Sequence, residues 1–151
     1  MEQKIVDVEF FKTHPEAKLP EKNNNHILTG DAGYDLFSIE DTIIPSWGST
    51  IVPVGFEVGY ITPGYWFRIE SRSGLRFKHN IEAFNGIIDN GYRGNCGVLL
   101  KNESSKNVTI KKHQACAQFI VYRMVPTRVN WRIDKADSER GEKGFGSSDK
   151  S

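Results

Sequence analysis

The chain has 151 residues, the size of one ordinary domain, and a chain of that length buries roughly two-thirds of the surface its unfolded form exposes, so one core suffices. Lys and Arg total 20 against 19 Asp and Glu; a formal charge of +1 gives no large field for polyanions, which argues against nucleic acid or a membrane surface and for a small metabolite. Two cysteines in strand-like stretches, no hydrophobic signal region after Met1 and no run of about 18 apolar residues predict free thiols and a soluble, intracellular protein of the cytoplasm or nucleus.

Along the chain the recurring signal is alternation with period two. It begins at Val6, Val8 and Phe10, and is clearest where Val54, Phe56, Val58 and Tyr60 are separated by Gly55, Glu57 and Gly59. It returns at Tyr65, Phe67 and Ile69, and a single helical turn is expected near Arg72 to Lys78. Asn90-Gly91 between β-prone residues reads as a hairpin, while Val98 to Leu100 and Ala117 to Val121 read as more fully buried strands. Turn chemistry at Pro45 to Gly48, Pro53 with Gly55, and Pro63-Gly64 leaves no window for a long helix. Many short strands at this spacing predict an all-β barrel or two-sheet fold, with a jelly roll as one standard solution. After Ile133 charged and small residues take over, so residues 1–133 form the predicted body and 134–151 a tail that builds no core. Two sequons, at Asn102 and Asn107, match so short a pattern that chance explains them.

The polar residues are informative against that apolar background. Asp35, in Ala32-Gly33-Tyr34-Asp35-Leu36, reads either as a strand-edge carboxylate in a turn or as one that holds water on a metal ion. Arg72, Ser73 and Gly74 bring a fork of donors, a short hydroxyl and close backbone approach, which are phosphate-binding tools, although a solvated surface turn explains them as well. The stretch Asn85 to Gly94 holds a carboxylate after two isoleucines, Asp89, followed by Tyr92. An acid in an apolar setting is a candidate base, and a tyrosine face is a rest for a sugar. Gln118 is an amide in a strand that otherwise reads as buried, so it needs a partner: a structural hydrogen bond, a metal-bound water or a phosphate. In the tail, Phe145 sits between glycines, with Arg140 upstream and two hydroxyls, Ser147 and Ser148, downstream. The four histidines show no metal-ligand spacing.

In this order, from Ala32 to Ser148, these five segments make the sequence resemble the homotrimeric dUTP pyrophosphatase family over nearly its whole length. The resemblance implies a jelly-roll-like β-barrel and a threefold homotrimer whose sites are assembled from several chains, residues 134–151 being a closing lid. It implies hydrolysis of dUTP to dUMP and pyrophosphate, limiting dUTP and supplying dUMP for thymidylate synthesis. Asp89 is then the base for in-line water attack on the α-phosphorus, and magnesium is held through waters by Asp35 and Gln118. Arg72, Ser73 and Gly74 contact phosphate. The hairpin with Asn85, Gly86 and Ile88 pairs with uracil through its main chain, Tyr92 lies under deoxyribose, Phe145 and Gly146 cover the base, and Arg140, Ser147 and Ser148 grip the outer phosphates. Lys143 and Asp149 depart from the glycines usual in the fifth segment, and His113-Gln114-Ala115 from the residues that usually open the fourth. Two other readings compete with this one. A dCTP deaminase requires a glutamate beside the third segment, where Glu82 stands too early; an interaction protein that binds dUTP as a signal accounts for the site without turnover.

Overall fold

The computed structural model describes residues 4–144. Among them are the strands β1 (Val8–Lys12), β2 (Tyr34–Phe37), β3 (Thr42–Ile44), β4 (Ser49–Val52), β5 (Phe56–Ile61) and β6 (Tyr65–Glu70), then one helix, α1 (Ser73–His79). The strands β7 (Ile81–Ala83), β8 (Gly86–Ile88), β9 (Val98–Asn102), β10 (Val108–Ile110) and β11 (Ala115–Arg123) follow. They make an all-β, jelly-roll-like barrel of antiparallel sheets ordered β2-β11-β6-β8, β4-β9-β7, β1-β5 and β10-β3. No helix among the described residues is long and apolar enough to cross a membrane.

The inward positions of each strand supply one core. Val54, Phe56, Val58, Phe67, Ile69, Val98, Leu100, Ile110 and Phe119 are all buried. Phe10 lies against Phe56 with ring centroids 4.5 Å apart and against Phe119 at 5.7 Å, which ties β1 and β5 to the β6–β11 pair. Cys96 and Cys116 lie in this interior as free thiols, and burial pushes both up to about 12.

Two local expectations change in the three-dimensional arrangement. Alternation runs through Phe56 and Val58 but then fails: Tyr60 is exposed and Ile61 buried. The cause is a β-bulge, because Glu9 pairs with Tyr60 and Phe10 with Val58, leaving Gly59 as an extra residue that reverses the inside and outside faces. The expected full burial of the later strands holds best on one face, where Ala117 and Phe119 are buried and Val121 packs half-buried against the core, while Gln118 and Ile120 are half-buried on the other. Trp66 and Tyr122 stack on that outer face at 4.7 Å.

The helical turn predicted near Arg72 exists as α1. It stops at Asn80, whose left-handed backbone (φ 54°) lets its N–H cap the carbonyl of Arg76.

Candidate functional site

The first, second and fourth polar segments meet at one end of the sheet β2-β11-β6. In register, Gln118 of β11 lies opposite Asp35 of β2 on one side and Glu70 of β6 on the other, so the strand pairing alone brings the three polar residues into a row. Arg72 follows two residues after β6 ends, and its Nε donates to Asp35 Oδ1 at 3.1 Å. The Asp35 side chain is 15% exposed and that of Arg72 34%, so the pair is partly shielded from water but open to a ligand from one side. Gln118 Nε2 donates to the carbonyl of Ser71 at 3.0 Å, which turns Oε1 of the same amide the other way. A Cβ at residue 33 would sit 2.2 Å from that oxygen, so Gly33 is the reason the amide fits.

These side chains line a polar cleft of about 260 Å³ together with Asn23, Asp31, Ala32, Gly33 and Ser73. Its charged lining is two carboxylates, Asp31 and Asp35, against one guanidinium, Arg72. A triphosphate meets that surface favourably only if it brings its own counter-cation. The oxygen donors suit a hard, hydrated cation, and among the described residues no three His, Cys, Asp or Glu gather into a direct cage.

Asn23 and Asp31 were not singled out from the sequence. They belong to a loop closed by its own polar groups: Asp31 Oδ2 accepts from Asn24 N–H at 3.1 Å, and His26 Nδ1 accepts from Thr29 N–H at 3.1 Å. A run of asparagines between Lys22 and His26 signals an irregular segment but not which carboxylate it aims at the cleft.

The third segment lies outside this cleft within one chain, because neither Asp89 nor Tyr92 lines it. β8 pairs with β6 and forms the edge of its sheet, and Asp89 follows it as an exposed carboxylate rather than one in an apolar setting. The hairpin expected at Asn90-Gly91 is replaced by a turn in which Tyr92 N–H donates to the Asp89 carbonyl at 3.0 Å. The chain then returns beside β5, through a bridge between Asn95 and Glu57, instead of folding back on β8. Asn85 is occupied structurally, its Nδ2 donating to Gly97 O and its Oδ1 accepting from Leu99 N–H, each at 2.8 Å. Ile88 is buried, Gly86 has open space around it at φ 66°, and Tyr92 Oη donates to Asn95 O at 2.8 Å with its ring over Gly94. At Gly74, on the first turn of α1, a Cβ would likewise point into open space.

Beyond β11 the chain runs outside the sheets. Val125, Val129, Trp131 and Ile133 are exposed, the last two completely (101% and 106%). Arg140 closes a local turn, its Nε donating to Lys143 O and its carbonyl accepting from Lys143 N–H. Phe145, Gly146, Ser147 and Ser148 lie outside the described residues.

Comparison with known proteins places this geometry in context. The family model for dUTPase matches residues 21–149. The deoxyuridine 5'-triphosphate nucleotidohydrolase of Clostridioides difficile is 35% identical over 147 residues, 95% of this chain and 98% of that protein. That of Nautilia profundicola is 42% identical over 123 residues, 79% of this chain and 84% of the relative. Among solved structures, the dUTPase of Staphylococcus bacteriophage 80alpha with dUpNHpp superposes with a TM-score of 0.80 at 27% identity, covering 94% of this chain and 98% of that one.

Proposed function

The chain belongs to the dUTPase family and is a dUTP diphosphatase, and from that premise we propose that it cleaves dUTP by magnesium-dependent attack of water on the α-phosphorus, in sites shared between the copies of a homotrimer. The observation that carries this reading is a division of labour: one chain gathers Asp35, Arg72, Ser73 and Gln118 around a polar cleft and leaves Asp89 and Tyr92 exposed elsewhere. Hydrolysis needs both groups at one substrate. A second copy that presents its Asp89 turn to the cleft supplies what a single chain lacks, and the fully exposed Trp131 and Ile133 are surfaces that an assembly would cover.

In this mechanism Arg72 and Ser73 bind phosphate oxygens, with the backbone at Gly74 free to approach them. Asp35 and Gln118 are the residues that would hold the hydrated cation, which the net charge of the cleft calls for. The chemistry that magnesium would supply there, when bound, is neutralisation of charge on the pyrophosphate leaving group. Asp89 takes a proton from the attacking water as its oxygen bonds to the α-phosphorus and the bond to the bridging oxygen breaks. The products are dUMP and pyrophosphate. Uracil is read by main-chain groups from Gly86 to Ile88, which suits an edge strand with one side unpaired by any other strand of the described residues. Tyr92 lies under the deoxyribose, where a ribose 2′-hydroxyl finds no partner. Arg140, Phe145, Gly146, Ser147 and Ser148 close over the nucleotide as residues 134–151 fold down.

The test is a hydrolysis assay with dUTP, dTTP, dCTP and UTP, with and without magnesium, on the wild type and on Asp89→Asn. Selective cleavage of dUTP is expected, lost with EDTA and lowered roughly a hundredfold to ten-thousandfold by the substitution, with nucleotide binding retained. Wild-type turnover by Asp89→Asn would remove the assignment of the base.

A further inference from the structure

The exposed carboxylate of Asp89 sits just past the end of an edge strand, with no hydrogen bond of its own side chain to fix it among those of the described residues. What fixes its position is the next residue. The Asn90 amide donates to three main-chain carbonyls: Ile61 at 3.3 Å, Thr62 at 3.0 Å and Tyr65 at 2.8 Å. They are the last residue of β5, the first residue of the connection that follows it, and the first residue of β6. That connection is itself braced, since Tyr65 N–H donates to Thr62 O at 3.2 Å across Pro63 and Gly64, the latter at φ 92°. Thr62 is further tied to Asp7, its N–H donating to the Asp7 carbonyl at 2.9 Å and its Oγ1 accepting from Asp7 N–H at 2.8 Å. On the other flank Arg93 Nη1 donates to the carbonyls of Asn90 and Tyr92, both at 2.8 Å.

We infer that Asn90 is a positioning residue for the hydrolysis, holding the Asp89 turn against the β5–β6 connection so that the carboxylate keeps a fixed aim. This rests on Asp89 being the base. A hairpin does not account for the side chain, because Gly91 does not adopt the positive φ of a two-residue hairpin and the chain does not fold back on β8 there. The position calls for two N–H donors on a short stem, which among the natural side chains asparagine supplies at this length.

Asn90→Ala and Asn90→Asp are compared with the wild type for kcat, KM, affinity for a nonhydrolysable α,β-imido analogue of dUTP, and thermal unfolding. Loss of the anchor should lower kcat about tenfold to a hundredfold, the scale of a misplacement near 1 Å, with analogue affinity and KM changed much less. Asn90→Asp keeps the volume while turning an acceptor toward three carbonyls, so it should lose at least as much turnover and stands in should the alanine variant fold poorly. In the Asp89→Asn background, Asn90→Ala should lower the residual rate no further, because both act through one carboxylate. A folded Asn90→Ala enzyme with kcat within about twofold of wild type, or an undiminished effect in the Asp89→Asn background, overturns the inference and leaves the base assignment standing. Full turnover by Asp89→Asn alone overturns both.

Discussion

The amide of Gln118 reaches the polar cleft because the residue packed against it has no side chain. At Gly33 a Cβ would meet Gln118 Oε1 at 2.2 Å and its Cδ at 2.9 Å, and those atoms are the mobile end of the glutamine, not backbone. Gly33→Ala should therefore fold, at a cost toward the low end of the 1–3 kcal/mol usual for overpacking, while swinging the amide off its bond to Ser71. The expected result is a small fall in Tm with kcat/KM for dUTP lowered about tenfold, the consequence of misdirecting one polar contact. An unchanged kcat/KM would show that the amide's orientation is immaterial. Asp35 and Gln118 could be picked out of the sequence because each is polar in an apolar run. The role of Gly33 could not, because the side chain that requires it comes from a strand far along the chain. Asn90 misled for a related reason: Asn-Gly is a strong local turn signal, and its actual partners, Ile61, Thr62 and Tyr65, are remote.

Period-two patterning marked β1, β5 and β6, since one apolar face against a common core is what a strand of a barrel requires, but the three-residue strands β3, β7 and β10 are too short to show it. It could not find where the two faces exchange. The bulge at Gly59 and the second irregularity between Ala115 and Ala117, which buries Cys116 and Ala117 in succession, depend on the partner strand rather than on the residues themselves. The connection from β9 to β10 teaches the same lesson through a buried amide. Asn102 is fully buried, donating to Ile44 O at 3.0 Å and Lys106 O at 2.8 Å, and accepting from Ser104 N–H at 3.0 Å and Ser104 Oγ at 2.7 Å. The side chain thus seals the end of β9 against β3, and its burial leaves no room for a sugar at that sequon. Asn102→Ala strands several of these groups at once and should cost about 3 kcal/mol, measured by chemical denaturation; a loss below about 1 kcal/mol would mean that water replaces the amide without penalty.

For the whole molecule the decisive feature is what one chain leaves uncovered. The composition changes after Ile133, whereas the last strand ends at Arg123, and the residues between include Val125, Val129 and Trp131, all exposed. Burying a large apolar side chain stabilises by about 1.5–3 kcal/mol, so in the proposed trimer Trp131→Ala with Ile133→Ala should weaken association while leaving the fold of each chain intact. Sedimentation across a dilution series reads the shift toward smaller species, and activity should fall with it. A sharper version mixes Asp89→Asn chains with Arg72→Ala chains. Each alone should be nearly inactive, and refolding them together should restore turnover if base and phosphate grip come from different copies; continued inactivity in the mixed assembly would assign both to the same chain.

The turn at residues 62–65, where β5 passes into β6, looks like an ordinary surface turn, the sort of place where chains tolerate added residues. Here it receives Asp7 near the start of the chain, Asn90 beside the carboxylate, and Met124, whose N–H donates to Gly64 O at 2.7 Å just as the chain leaves the barrel. Three distant stretches are thus riveted to four consecutive residues. Lengthening this loop by even one glycine would loosen all of them together, so a turn outside the cleft sets where the departing segment starts and, with Asp89 as the proposed base, how steadily the water is addressed.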